Sequence, residues 1–300
     1  MYHPDLGFYE TGGAAGRRGD FLTSPEVGPL FGTVVARAID AWWAELGSPD
    51  PFTVVEAGAG RGALRAAVTA AARAPLRYVA VERSAALRGE GSVAELPREP
   101  FVGVILANEL LDNLPFGLLE RTPAGWSEVR VDADLREVLL PVEEPSVEAP
   151  VGGRVPVQRA AREWVATALD LLEAGRVVVF DYADTTESMG RRPWTDWVRT
   201  YRGHARGGHP LAELGHQDVT CEVAVDQLPP PTADRSQADF LRAHGVDDLV
   251  AEARRAWEER AHIGDLQALV ARSRVHEAAA LTDPAGLGAF RALEWVRTGR

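Results

Sequence analysis

The stretch TVVEAGAGRGALRAA, residues 53–67, constrains the fold of this chain more than any other. A β-branched run meets an acid, then glycines at 58, 60 and 62, then an alanine-rich segment. That order predicts a strand over 52–57, a tight turn and a helix over about 61–73, because glycine lets the backbone turn sharply and puts no Cβ in a ligand's way. Tyr78, Val79 and Val81 form a second strand, so the unit reads as β-α-β. FVGVILANELLDNLP (101–115) supplies a third strand, Val102 to Ala107. RVVVFDYAD (176–184) supplies a fourth, preceded by a helix around 157–174. Near-continuous apolar strands alternating with helices predict an α/β fold whose mainly parallel sheet is covered on both faces. Ligands of such folds bind beyond the carboxyl ends of the strands.

Around this core, Ser24-Pro25-Glu26 reads as an N-cap, a first-turn proline and a first-turn acid. The pairs Val34/Val35, Ala38/Ile39 and Trp42/Trp43 continue an amphipathic helix from 24 to 46. Residues 126–145 alternate like a hairpin, 184–217 read as an irregular insertion, 229–237 as a loop before another helix, and 288–299 as a closing strand. The expected organisation is an N-terminal segment and helix over 1–50, then a core over 51–300 with insertions near 115–155 and 184–240. Trp194, Trp197 and Tyr201, spaced three and four apart, read as one helix face packed on the sheet in preference to an aromatic substrate cage.

Three hundred residues at 46% hydrophobic content suffice for a sizeable core. No apolar run approaches the ~18–20 residues that span a bilayer, and MYHPDLGFYE lacks the regions of a signal peptide, so the expectation is a cytoplasmic protein without a membrane partner. The single cysteine, Cys221, excludes an intramolecular disulfide and a cysteine-rich zinc site. The net charge of −12 repels polyanions, and the basic stretches at 16–20 and 190–194 are short, which argues against a nucleic-acid partner. His204, His209 and His216, with Asp218 beyond, fit no zinc spacing, so no metal is expected.

Gly58, Gly60 and Gly62 open a helix whose N-terminal N–H groups face whatever the turn holds. A purely structural turn is the plain alternative. Gly58, Gly60 and Ala63 also satisfy the dinucleotide fingerprint, which keeps a nicotinamide or flavin enzyme open. Glu56, at the mouth of the strand, would repel a pyrophosphate and favour a cationic ligand such as S-adenosylmethionine, with its sulfonium and ammonium. Glu82 ends the second strand, placed to accept the two hydroxyls of an adenosine ribose. Both cofactor types use such an acid.

Together, MYHPDLGFYETGGAAGRRGDFLTSPEVGPLFG, VVEAGAGRGAL, YVAVERS, LANELLDNLP and RTYRGHARGGHPLAELGHQDVT resemble the MidA family of class I S-adenosylmethionine-dependent methyltransferases over nearly the whole chain. The resemblance implies a Rossmann-like fold, S-adenosylmethionine as cofactor and, from the family's mitochondrial member, methylation of an arginine on a partner protein. It also implies that Asp20, Phe21 and Ser24 pack over the cofactor. The chain begins inside the family's Y-x-P-x-x-G-Y-Y stretch, lacks the acid often found early in the helix after the glycines, and has Asp181-Tyr182-Ala183 where the family usually has DYG.

In NELLDNLP, Glu109 and Asp112 stand three apart just beyond a strand end. A guanidinium acceptor needs carboxylates that fix its planar fork and stabilise its charge. Asn108 could orient the pair or accept from the cofactor's ammonium, and Asp181-Tyr182 is a possible acceptor contact. Capping of a following helix by Asn108 and Asp112 is the plain alternative. The expected activity is methyl transfer to a protein arginine. The competing readings are a small-molecule methyltransferase of a biosynthetic pathway and a cofactor-binding assembly factor without essential catalysis.

Overall fold

The glycine turn does stand between a strand and a helix. The computed structural model describes residues 3, 5–11, 23–143, 145, 147–202 and 205–299. Helices α1 (Ser24–Val27) and α2 (Pro29–Glu45) precede β1 (Phe52–Ala57), α3 (Ala63–Ala71), β2 (Leu76–Val81) and β3 (Phe101–Asn108). A 3₁₀ turn at Leu111–Asn113 leads into β4 (Gly117–Thr122), β5 (Gly125–Val131), β6 (Glu137–Pro141) and β7 (Arg154–Val157). Then come α4 (Arg159–Asp170), β8 (Leu172–Asp181), β9 (Ala183–Asp184), α5 (Thr186–Gly190), β10 (Val198–Arg202), β11 (Ala205–Arg206), β12 (Asp218–Cys221) and β13 (Val223–Ala224). The chain closes with β14 (Ala233–Ser236), α6 (Gln237–Ala243), α7 (Val246–Arg260), α8 (Leu266–Leu281) and β15 (Arg291–Arg297).

The main sheet has the order β14-β15-β8-β3-β1-β2. Strands β2, β1, β3 and β8 run parallel, and β15 lies antiparallel between β8 and β14. Alternate side chains explain why these strands are apolar throughout. Val54, Val104, Leu106, Val178 and Phe180 pack under α2, α3 and α6, while Val55, Ile105, Val177, Val179 and Leu293 pack against α4. Phe180 meets Phe31 and Phe240 edge-on, with centroids 5.1 and 4.9 Å apart, so strand β8 is pinned from above by two helices. A second sheet, β6-β5-β4-β7, is antiparallel and contains the expected hairpin. Strands β11-β10-β12 and the pair β13-β9 complete the set.

Several expectations need correcting. The helix over 24–46 is two helices, broken at Gly28-Pro29, with Thr23 and not Ser24 at the N-cap of the first. The Glu277 carboxylate of α8 accepts from the Leu30 N–H at 2.9 Å and so caps α2 from a distance of 247 residues in sequence. Trp194, Trp197 and Tyr201 do not share a helix: Trp194 lies in a 3₁₀ turn, Trp197 follows it fully buried, and Tyr201 lies on β10. The supposed irregular insertion contains α5 and β10. It is knotted by Arg192, which pairs with Asp184 and Glu222 at 2.8 Å each. Edge strand β14 lies within the stretch expected to be a loop. Among the described residues no helix is long and apolar enough to cross a membrane.

Candidate active site

The carboxyl ends of β1, β2 and β3 open onto a cavity of about 440 Å³. Its walls include Glu56, Gly58, Gly60, Glu82, Asn108 and Glu109. All three glycines of the turn take positive φ, which a β-carbon disfavours. A β-carbon at Gly60 or Gly62 would meet no protein atom within 4 Å, so the bare backbone faces open space. The Gly60 N–H donates to Glu82 Oε2 at 2.8 Å and the Ser84 N–H to Glu82 Oε1 at 2.8 Å, which fixes the acid against the turn.

Glu56 departs from expectation. It is 5% exposed and accepts from the Tyr78 hydroxyl at 2.8 Å. Burial is the main cause that pushes its pKa up to about 7. It therefore lines the cavity without being a bare charge at the mouth, and its power to repel a diphosphate is smaller than the sequence argument supposed.

Past β3 the chain does something the sequence does not announce. Glu109 adopts φ +51° while its N–H still donates to the Phe180 carbonyl at 2.8 Å. The next turn is capped by Asp181, whose Oδ2 accepts from the Leu111 and Asp112 N–H groups at 2.9 and 3.3 Å. Asp181, fully buried and so occupied, does not line the cavity. Glu109 Oε1 accepts from Asn108 Nδ2 at 3.1 Å and Oε2 from the Tyr182 hydroxyl at 3.3 Å. The Ser24 N–H also stabilises this carboxylate. The Ser24 hydroxyl itself donates to Gln237 at 2.9 Å, and Ser24 is not a cavity residue. Asp20, Phe21 and His204 lie outside the described residues.

Asp112, 2% exposed, sits behind the cavity wall and accepts from Asn113 Nδ2 at 2.9 Å. The Tyr9 hydroxyl lies 3.1 Å from both Asn113 Oδ1 and Asp218 Oδ1. Burial, then the neighbouring acids Asp181, Glu109 and Asp218, holds Asp112 well above the usual carboxylate range. Burial pushes Asp181 up to about 7. Burial and then the charge of Asp181 push Glu109 up to about 8. Glu109 is thus the member of this buried acid cluster that reaches the cavity. Among the described residues no group of three or more potential ligands could hold a metal.

The cavity fits S-adenosylmethionine on the chain's own features. Gly60 leaves room for close approach, Glu82 lines the cavity where it would meet a ribose, and Asn108 Oδ1 is buried with no hydrogen-bond partner, whereas Gly62 stands at the N-cap of α3 and is not a lining residue. That oxygen suits an ammonium donor. Tyr9, Glu26 and Trp164 also line the cavity. Sequence reasoning missed Tyr9 and Trp164 because each comes from an element distant from the glycine turn.

A parallel sheet with this turn is the architecture of enzymes that bind an adenosine-bearing cofactor, and the model of an S-adenosyl-L-methionine-dependent methyltransferase family matches residues 34–243. The chain belongs to the MidA family, and S-adenosylmethionine is its cofactor. A Burkholderia thailandensis protein solved bound to S-adenosyl-homocysteine superposes with a TM-score of 0.80 at 27% identity, covering 99% of this chain and 85% of its own. The Drosophila melanogaster protein arginine methyltransferase NDUFAF7 homolog, mitochondrial, is 26% identical over 74% of this chain, which spans 62% of that relative. The Mus musculus protein arginine methyltransferase NDUFAF7, mitochondrial, is 25% identical, covering 82% of this chain and 69% of its own.

Proposed function

We propose that this methyltransferase acts on a guanidinium nitrogen of a protein arginine. The observation that carries the reading is Glu109, a carboxyl at the cavity wall backed by buried acids and held near pKa 8. The names of the fruit-fly and mouse relatives support it. An entering guanidinium lowers that pKa, so Glu109 ionises and binds the cation it faces. The bound cofactor supplies a methyl group on a positively charged sulfur. Glu109 would accept the one proton that the guanidinium nitrogen sheds on methylation, so that the methylated guanidinium keeps a single charge and the spent cofactor would leave as a neutral thioether. A group whose pKa lies near ambient pH suits that exchange. We assign Asp112 a positioning part, because Asn113, bonded to its carboxyl, also donates to the Glu109 carbonyl at 3.3 Å.

The test is Glu109→Gln. Calorimetry should show S-adenosylhomocysteine affinity essentially unchanged. Transfer of labelled methyl groups into a cell lysate should fall by roughly 10²–10⁴-fold. Undiminished transfer removes Glu109 from this role, and label recovered in a residue other than arginine refutes the acceptor.

A further inference from the structure

The proposed guanidinium acceptor carries five N–H donors in one plane, more than a single carboxylate can receive. A second acceptor group is needed at the Glu109 end of the cavity. The cofactor is already provided for by the glycine turn, Glu82 and the unpartnered Asn108 oxygen.

Glu26 meets the requirement. Thr23, Ser24, Pro25, Glu26 has the spelling of a capping box, in which the third helical residue turns its carboxylate back to the N-cap N–H. Here Thr23 is the N-cap, no side chain caps the helix, and Glu26 receives no hydrogen bond or ion pair from any described residue. Glu26 is a half-buried residue that lines the cavity, so its carboxylate has no protein partner to compete with a ligand there. Helix α1 and its N-cap border the same cavity as Glu109, through Thr23, Pro25 and Glu26. Gly28, whose β-carbon would strike the Glu277 carboxylate at 2.3 Å, sets the break that separates α1 from α2. Tyr9 lines the same cavity with its hydroxyl anchored by Asn113 and Asp218, so its ring is held as an aromatic wall of the kind that guanidinium planes stack on.

We propose that Glu26 is a specificity-determining residue of this enzyme: its carboxylate receives the guanidinium edge that Glu109 leaves free, with Tyr9 flanking the plane. The assignment rests on the guanidinium reading of the reaction. It implies selection of arginine over lysine, since an ammonium is compact and cannot span two carboxylates in one plane.

The experiment uses the intact protein saturated with S-adenosylhomocysteine and two probes, N-acetyl-arginine methylamide and N-acetyl-lysine methylamide, followed by ligand-detected NMR. Wild type should bind the arginine probe in preference to the lysine probe. Glu26→Gln should bind the arginine probe about tenfold more weakly, the scale of one lost charge-assisted hydrogen bond. Its S-adenosylhomocysteine affinity and ligand-induced rise in melting temperature should be unchanged. Equal arginine-probe binding by wild type and Glu26→Gln overturns the role of Glu26 and leaves the acceptor reading standing. A comparable loss of S-adenosylhomocysteine affinity overturns it too, by returning Glu26 to the cofactor. A wild type that binds neither probe, or both equally, removes the guanidinium reading itself.

Discussion

Glu109 concentrates the conflict between stability and chemistry in one residue. Its left-handed backbone is disfavoured for any side chain but glycine, and its carboxyl is buried beside Asp181. Glu109→Gly should therefore relax the turn by about 1 kcal/mol while abolishing transfer. The pH dependence has a definite sign. A carboxyl whose pKa is raised from 4.5 to about 8 on folding gives its full contribution below pH 4.5 and loses it as pH climbs through 8. The melting-temperature advantage of Glu109→Gly over wild type should accordingly be larger at pH 9 than at pH 5. A constant or shrinking advantage would place the ionisation elsewhere. None of this was readable from NELLDNLP. The motif names the two acids, and only the αL turn and Asp181 decide that one lines the cavity and the other lies behind it.

At the scale of elements, helix α2 shows how a distant chain segment determines a local boundary. Periodicity correctly marked the apolar face of residues 34–43, because that face is a property of spacing alone. It ran the helix through Gly28 because the partner that makes the break useful, Glu277, lies far away in sequence. Gly28 has φ 165°, extended backbone that any residue adopts, so the constraint is steric. Gly28→Ala should displace a carboxylate that also accepts from the Ser273 hydroxyl at 2.8 Å, costing roughly 1–2 kcal/mol in thermal unfolding. In a double-mutant cycle with Glu277→Ala the two losses should overlap, since both remove one cap; additive losses would show that the cap is not the cause. Tryptophan spacing misled in the same way. Trp194 and Trp197 look helical in sequence, yet the Trp197 indole donates to the Met189 carbonyl and anchors an inserted turn.

Over the whole molecule, the cofactor cavity joins the ends of β1, β2 and β3 to α1 and to the N-terminal stretch bearing Tyr9. A ligand there should stabilise the entire fold. S-adenosylhomocysteine at about a hundred times its Kd should add about 2.7 kcal/mol and raise the melting temperature by several degrees, whereas NAD should not. Gly60→Val, which forces a β-branched residue to φ +51°, should fold but show no such rise; a full rise in that variant would detach the turn from the cofactor. By itself the sequence determined the four parallel strands and the turn between β1 and α3, because alternation and glycine placement are local and each carries its own physical signature; the choice between cofactor classes leaned on Glu56 as an exposed charge, and its burial takes that support away. Tertiary structure alone decided the upward pKa shifts of Glu56 and Glu109, the retreat of Asp112 and Asp181 behind the wall, and the arrival of Tyr9, Glu26 and Trp164 at the cavity. Burial and the meeting of distant charges are sums over neighbours that no single stretch of chain contains.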